Sequence, residues 1–288
     1  MKLALGTVQF GLDYGVANTV GRVSAETAGA LLRRAHIYGM DTLDTAIAYG
    51  DSESVLGGLG VQGWKVVSKL PAVPKACPDV ARWVRTQTQD SLQRLGLQRM
   101  YGLLLHRPVQ LLDGMGPDLY AALQSLKTEG LVAKVGVSVY GAAELAVLWP
   151  EYRFDLIQAP LNILDRSLVD SGWAARLKDA EVEVHTRSAF LQGLLLMPAD
   201  KRPERFNRWS DLWHEWDRWL LATGLSPVQA CLGYANGLDV IDRVVVGVDA
   251  VAQLDEIVGA ADGVLDSLPA FKPLQDERLI NPASWNQL

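Results

Sequence analysis

Eight times along this chain an apolar run of strand length is followed by a longer segment of helical period, and this alternation constrains the fold more than any single residue. Successive βαβ units leave that trace. A parallel strand covered on both faces reads as a short continuous apolar run, whereas the crossover helix keeps one apolar stripe. The expected strands are Leu3–Gln9, Thr42–Ala46, Lys65–Lys69, Tyr101–His106, Ala133–Val139, Asp155–Gln158, Val182–Thr186 and Arg243–Gly247. The expected helices include Ala25–Tyr38, Asp79–Leu95, Asp118–Gly130, Ala142–Trp149, Ser167–Asp179, Trp209–Thr223 and Val251–Ala260. Ser24, Pro78-Asp79 and Ser226-Pro227 stand where helices should begin, since they offer a capping oxygen or a proline suited to a first turn. No Gly/Pro/Ser-rich linker and no repeated motif divides the chain, and 288 residues is close to the roughly 250 of a β/α barrel. The reading is a single α/β domain, residues 1–288, closed as one (β/α)8 TIM barrel, with a doubly wound open sheet as the alternative.

Composition removes several function classes. A net charge of −6 with no block of Lys and Arg disfavours a phosphate-backbone partner, so no nucleic acid is expected. No apolar run approaches the ~20 residues that span a bilayer, so no membrane partner is expected either. Met1-Lys2-Leu3-Ala4-Leu5 runs into Gly6 without a secretory signal pattern, which points to the cytoplasm. Cys77 and Cys231 are too few for a disulfide framework and sit in no metal-like cluster, so no metal site is expected. A small molecule is the expected partner, and homo-oligomerisation is left open.

In barrels of this kind chemistry gathers at the C-terminal ends of the strands. Asp44, Lys69, His106, Ser138, Gln158 and Ser188 all fall at or just past such ends, which brings six polar groups to one mouth. Tyr49 follows Asp44 on the next loop. A tyrosine, with an ordinary pKa of about 10, serves as a proton donor near neutrality only if a neighbouring cation favours its phenolate. Lys69 could supply that cation, Asp44 could hold the ammonium, and His106 could fix a substrate oxygen.

The motifs, taken in order, resemble the aldo-keto reductases over nearly the whole chain. They begin with Leu5-Gly6-Thr7-Val8-Gln9-Phe10-Gly11 and continue with Asp44-Thr45-Ala46-Ile47-Ala48-Tyr49-Gly50, Ser52-Glu53 and Leu56-Gly57. Ser68-Lys69-Leu70, Leu103-Leu104-Leu105-His106-Arg107-Pro108 and Gly136-Val137-Ser138 follow. The resemblance implies hydride transfer between NADPH or NADH and an aldehyde, ketone or sugar carbonyl. Tyr49 would be the general acid/base, Lys69 its pKa-lowering neighbour, Asp44 the partner of Lys69, and His106 the residue that orients the carbonyl. It further implies cofactor contacts at Gly6, Thr7, Ser138, Gln158, Arg187, Ser188, Gly193, Gly247, Asp249, Gln253 and Glu256, and a substrate-rim position for Asn162.

Two departures from the family pattern stand out. Arg187 occupies a position where an aromatic ring commonly stacks on the nicotinamide, and Val139 stands where an asparagine often follows the carboxamide serine. Between Val244 and Phe271 there is no Lys or Arg, so Asp249 would repel a 2′-phosphate and could accept from a ribose hydroxyl. The family prior is NADPH; these residues predict that NADH is accepted at least as well. Arg187 and Val139 also motivate an alternative function, a cofactor-sensing regulatory or scaffold barrel with little turnover. A Schiff-base lyase or isomerase using Lys69 is a third reading, opposed by the nearby Asp44. Trp209, Trp213, Trp216 and Trp219 form one helical stripe, read as core packing or else as a cleft wall or subunit interface. His36, His185 and His214 have no clear partner pattern and are read as structural or surface residues, His185 being the one of the three nearest to the site.

Overall fold

In the computed structural model, which describes residues 2–263, 265, 267–269 and 276–287, eight parallel strands form a closed barrel. They are β1 (Leu3–Gly6), β2 (Thr42–Asp44), β3 (Lys65–Leu70), β4 (Met100–Leu105), β5 (Val132–Ser138), β6 (Leu156–Pro160), β7 (Glu183–Arg187) and β8 (Arg243–Gly247). Each strand pairs with the next in sequence, and β1 closes the ring against β8 from Leu3 opposite Val244 to Gly6 opposite Gly247. The expected barrel is therefore present, and the open sheet is ruled out.

Around it run α1 (Ala25–Ile37), α2 (Ser52–Leu59), α3 (Val80–Leu95), α4 (Gly116–Thr128), α5 (Ala142–Leu148), α6 (Ser167–Asp170), α7 (Trp173–Asp179), α8 (Ser210–Thr223), α9 (Pro227–Asn236), α10 (Val251–Gly259) and α11 (Glu277–Ile280). The start signals act as expected. Ser24 accepts from the Thr27 amide, Asp79 from the Arg82 amide, and Ser226 forms a reciprocal capping box with Gln229. Most boundaries shift by one or two residues, and three differences from the sequence reading are larger. The first strand stops at Gly6, because the chain turns into a 3-10 segment over Val8–Phe10, and that turn carries Gln9 into the mouth instead of along the sheet. The expected helix Ser167–Asp179 is two helices, broken where Gly172 takes a φ of 79°. The glycine-containing α2 was legible only as a motif.

Period-2 alternation sorts the barrel's inner face into layers. Val67, Leu104 and Leu156, with Tyr101 packed on them, form a small apolar plug separate from the large cluster that joins the strands' outer face to the helices. Two residues further along the same strands come Lys69, His106 and Gln158. The plug is therefore the dry floor on which the mouth's polar groups stand. Below it, Tyr101 donates to Glu183 Oε2 at 2.6 Å, Lys134 pairs with the same carboxylate, and His185 Nε2 lies 2.7 Å from Oε1. His185, read as structural and the nearest of its kind to the site, is fully buried beneath it. The tryptophan stripe is core: Trp213 and Trp216 are buried, Trp209 and Trp219 are half-buried against the same cluster, and none lines the mouth. Trp216 donates to the Leu195 carbonyl at 3.3 Å, so α8 braces the segment that follows β7.

Candidate active site

Tyr49 is placed by backbone contacts that only glycine permits. A Cβ on Gly11 would stand 1.8 Å from the Tyr49 carbonyl oxygen, so the loop after β1 packs directly on the tyrosine's own backbone. The turn is tied from both sides. Tyr49 N–H donates to Ala46 O at 3.0 Å, Ile47 N–H donates to Lys69 O at 3.2 Å, and Ser52 Oγ donates to Thr7 O at 2.8 Å. Glu53, buried on α2, accepts from Ser68 and Ser91 hydroxyls at 2.6 Å each and from Arg94 Nε at 2.9 Å, which fixes α2 against β3 and α3.

Lys69 is 1% exposed, yet its ammonium is fully employed. It donates to Asp44 Oδ1 at 2.7 Å and to the Thr45 carbonyl at 2.9 Å, and its Nζ stands 3.5 Å from the Tyr49 hydroxyl. Burial pulls the lysine pKa down, but the charges of Asp44 and Tyr49 outweigh it, so the net shift is upward and the group stays an ammonium. Asp44's second oxygen accepts from Gln158 Nε2 at 2.6 Å, and Gln158 Oε1 accepts from Ser138 Oγ at 3.1 Å. His106 meets the Tyr49 ring edge-on at 5.9 Å between centroids. Burial first, and then the Lys69 charge, lower its pKa to about 4, so its imidazole is neutral at physiological pH.

From Asp44 and Tyr49 a cleft of about 410 Å³ runs over the barrel rim between the loops that follow β1, β7 and β8. Of the residues expected at a cofactor, Gly6, Thr7, Arg187, Ser188, Gly193, Gly247, Asp249, Gln253 and Glu256 line it. Gly247 is needed there, since a Cβ on it would lie 2.5 Å from Gln9 Nε2. Ser188, Leu191 and Gln192 have φ of 63°, 48° and 53°, left-handed values costly for residues with a Cβ. Such strain persists where packing enforces it, and here Leu191, Leu194 and Leu195 are buried beneath the loop. Gln9 Oε1 and Asp249 Oδ1 are buried at the cleft without a hydrogen-bond partner among the described residues. A glycine-walled groove with two unused acceptors fits a nicotinamide dinucleotide.

Besides Lys69 and His106, which stand against Tyr49 without lining the cleft, three expected residues do not line it. Ser138 and Gln158 are buried beneath it, Ser138 bonded to Gln158 and Gln158 to Asp44. Asn162, expected at the substrate rim, is fully buried; it donates to Ser188 O at 3.1 Å and accepts from the Leu164 and Asp165 amides at 2.9 Å. Its work is to hold the loop after β6 against the loop after β7. Conversely, Tyr14 and Gln192 join the cleft from opposite sides, with Gln192 Nε2 donating to Tyr14 Oη at 3.0 Å. Neither was legible, because both lie on irregular loops where no periodicity marks a facing side.

Known proteins bear on this geometry. The sequence profile described as the Aldo/keto reductase family matches residues 2–268. No curated protein matches the chain. Among solved structures, an aldo-keto reductase of Bacillus halodurans in its holo form is similar with a TM-score of 0.71 and 19% identity, over 92% of this chain and 88% of that one. A protein of Pseudomonas aeruginosa described as an aldo-keto reductase is similar with a TM-score of 0.67 and 24% identity, over 90% and 89%. At such identities the structural likeness establishes the fold.

Proposed function

This chain belongs to the Aldo/keto reductase family, and from that premise we propose that it reduces an aldehyde, ketone or sugar carbonyl with a nicotinamide cofactor, Tyr49 giving the proton. The observation that carries the reading is the Lys69 ammonium, held between Asp44, the Thr45 carbonyl and the Tyr49 hydroxyl at the inner end of the cleft. A reduced nicotinamide, when bound, supplies the hydride. The protein's part is to prepare the carbonyl oxygen for the charge it gains. Tyr49 donates its hydroxyl proton to the developing alkoxide, and the adjacent ammonium stabilises the phenolate left behind. Lys69 keeps its own proton, because Asp44 holds it charged. The neutral His106 imidazole offers an N–H to the same oxygen and fixes its direction without adding charge. The reverse sequence oxidises an alcohol. A Schiff-base role for Lys69 is disfavoured, since that chemistry needs a neutral amine and this one is paired.

Gly6, Thr7, Ser188, Gly193 and Gly247 would carry the cofactor's backbone, and Asp249, Gln253 and Glu256 its adenosine end. The Asp249 amide is capped by Gln253 Oε1 at 2.7 Å, while its carboxylate has a buried, unused oxygen. Arg34, the cation packed against α10, is taken bidentately by Asp255 at 2.7 and 3.0 Å. This arrangement supports use of NADH at least as readily as NADPH. Mixing the protein with either reduced cofactor and a panel of aldehydes, ketones and sugars tests the proposal through the loss of cofactor absorbance. Oxidation that depends on substrate is expected; no oxidation with any substrate, together with no cofactor binding, overturns it.

A further inference from the structure

Resting on that reading, we propose that the carbonyl substrate is anionic, carrying a carboxylate or phosphate that Arg187 and Arg107 grip across the ring of Tyr140. Arg187 ends β7, faces the mouth and lines the cleft beside Tyr49. Its side chain spans the barrel rim to the residues just after β5, where Nη2 donates to Val139 O at 3.1 Å and the guanidinium lies 5.2 Å from the Tyr140 ring centre. Arg107, just after His106, approaches the same ring from the β4 side at 5.7 Å, with Nη1 donating to Tyr140 Oη at 3.4 Å. Two cations thus flank one aromatic ring at the edge of the reacting centre.

Neither is neutralised. Arg187's remaining polar contact is Ser188 Oγ at 3.4 Å, and neither guanidinium has a carboxylate ion-pair partner among the described residues. Buried Asp165 feels Arg187 only at longer range, and it accepts instead from Ser167 Oγ at 2.7 Å. A half-buried arginine costs desolvation energy that a fold normally recovers with a carboxylate. Elsewhere this chain follows that rule: Arg34, Arg85 and Arg202 all have one. The exception stands where a flat apolar ring would suffice to stack on a cofactor. Five N–H donors in a fixed fork match an oxyanion bidentately, and at least three of Arg187's are not committed to Val139 or Ser188. Arg187 lines the cleft with Tyr49 and Arg107 directly follows His106 in the chain, so both stand beside the groups that would meet the carbonyl. A substrate whose oxyanion lies a few bonds from its carbonyl would meet both anchors at once.

Matched substrate pairs test this: butanal against succinate semialdehyde, and glyceraldehyde against glyceraldehyde 3-phosphate. The parent protein should favour the anionic member by about tenfold or more in kcat/KM, mainly through KM, the magnitude of a charge-assisted hydrogen bond. The pair with the larger ratio identifies carboxylate or phosphate. In Arg187→Met the ratio should fall toward one, in Arg187→Lys it should be partly kept, and in Arg107→Gln it should drop by a smaller factor. Calorimetric titration of the cofactor-loaded protein with benzoate and with benzamide gives a reading independent of turnover; benzoate should bind more tightly. Reduction of neutral aldehydes with no anionic preference overturns this inference alone, as does a ratio unchanged in a folded Arg187→Met. No turnover of either member of any pair, without cofactor binding, overturns the catalytic reading beneath it.

Discussion

Two ionic clusters stand above and below the Val67, Leu104 and Leu156 plug, and only the upper one turns an unspent hydroxyl toward a cleft. In the lower cluster Glu183 receives Tyr101, Lys134 and His185, while Asp41 takes Lys65 at 2.8 Å and Arg243 at 3.2 Å. The carboxylates there are fully engaged. In the upper cluster Lys69 and Asp44 saturate each other, but the Tyr49 hydroxyl has only Lys69, at 3.5 Å, and it faces a cleft. Burial and charge are common to both. His185 Nδ1 is also left without a partner, but in the closed interior; a site differs from a structural knot in having the spare group and a space beside it.

The largest test removes the ammonium. Lys69→Met leaves the Asp44 carboxylate, 5% exposed, without its cation and with only the Gln158 amide, and breaking such a buried pair costs about 3–5 kcal/mol. Urea unfolding should register that loss, and Lys69→Met/Asp44→Asn should recover part of it; equal stability in parent and single variant would mean the pair is not needed. Tyr49→Phe should act on the other quantity. Turnover falls at least ~100-fold, the usual scale of a general acid, while cofactor affinity and unfolding stay near parental values. Equal turnover would remove Tyr49 from the mechanism. Below the plug the pattern inverts: Glu183→Gln should cost about 1–3 kcal/mol in stability, since it weakens the buried bonds that this carboxylate accepts, and leave turnover within about twofold. A turnover loss as large as that of Tyr49→Phe would erase the distinction between the two clusters.

Acid separates them too. His106 has a folded pKa of about 4 against an ordinary 6.5, so the unfolded chain binds its proton first as pH falls. The stability that depends on the neutral imidazole is therefore complete above pH 6.5 and is lost on the way down to 4. For Glu183, burial acts upward but the bonds from His185, Lys134 and Tyr101 win and hold the carboxyl well below the ordinary glutamate value. Its contribution remains until the pH drops below that ordinary value. Relative to His106→Gln, the parent should lose roughly 1 kcal/mol between pH 7.5 and 5.5, at ~1.4 kcal/mol per unit of difference in bound protons. Parallel stability profiles for the two proteins over that range would contradict the burial of a neutral imidazole.

The alternation of runs and periods was enough to read the barrel, because parallel strands and crossover helices impose different spacings on the same apolar residues. Asp44, Lys69 and His106 were legible for a related reason: strand ends in such a barrel converge. Loops have no spacing to read. Gln9 was taken for a strand residue and is turned into the cleft by Val8–Phe10, and Asn162 was placed at the rim although its amide is consumed by loop backbone. His185 shares β7's inward face with Arg187, but two residues lower it falls beneath the mouth, next to Glu183. Alternation gives a side chain's face. Its depth depends on where the strand ends, which the sequence marks only to within a few residues.

The smallest expected effect lies farthest from Tyr49, at the adenosine end of the cleft, where Asp249 repeats the upper cluster's feature of an unused polar atom. Burial raises the Asp249 carboxyl pKa, and no cation opposes that shift. A 2′-phosphate would bring a second negative charge beside this carboxylate, whereas a 2′-hydroxyl would give its buried oxygen a donor. Asp249→Asn removes the repulsion but keeps an acceptor of the same shape. Its affinity for NADPH should therefore rise about tenfold relative to NADH, the size of one partly screened charge contact. Titrating both cofactors by protein fluorescence measures the ratio in parent and variant. A parent that strongly prefers NADPH would mean that the clamp draws on a cation elsewhere and that Asp249 does not read the ribose; a parent that binds both equally, with the ratio shifted in the variant, would make this carboxylate the residue that discriminates.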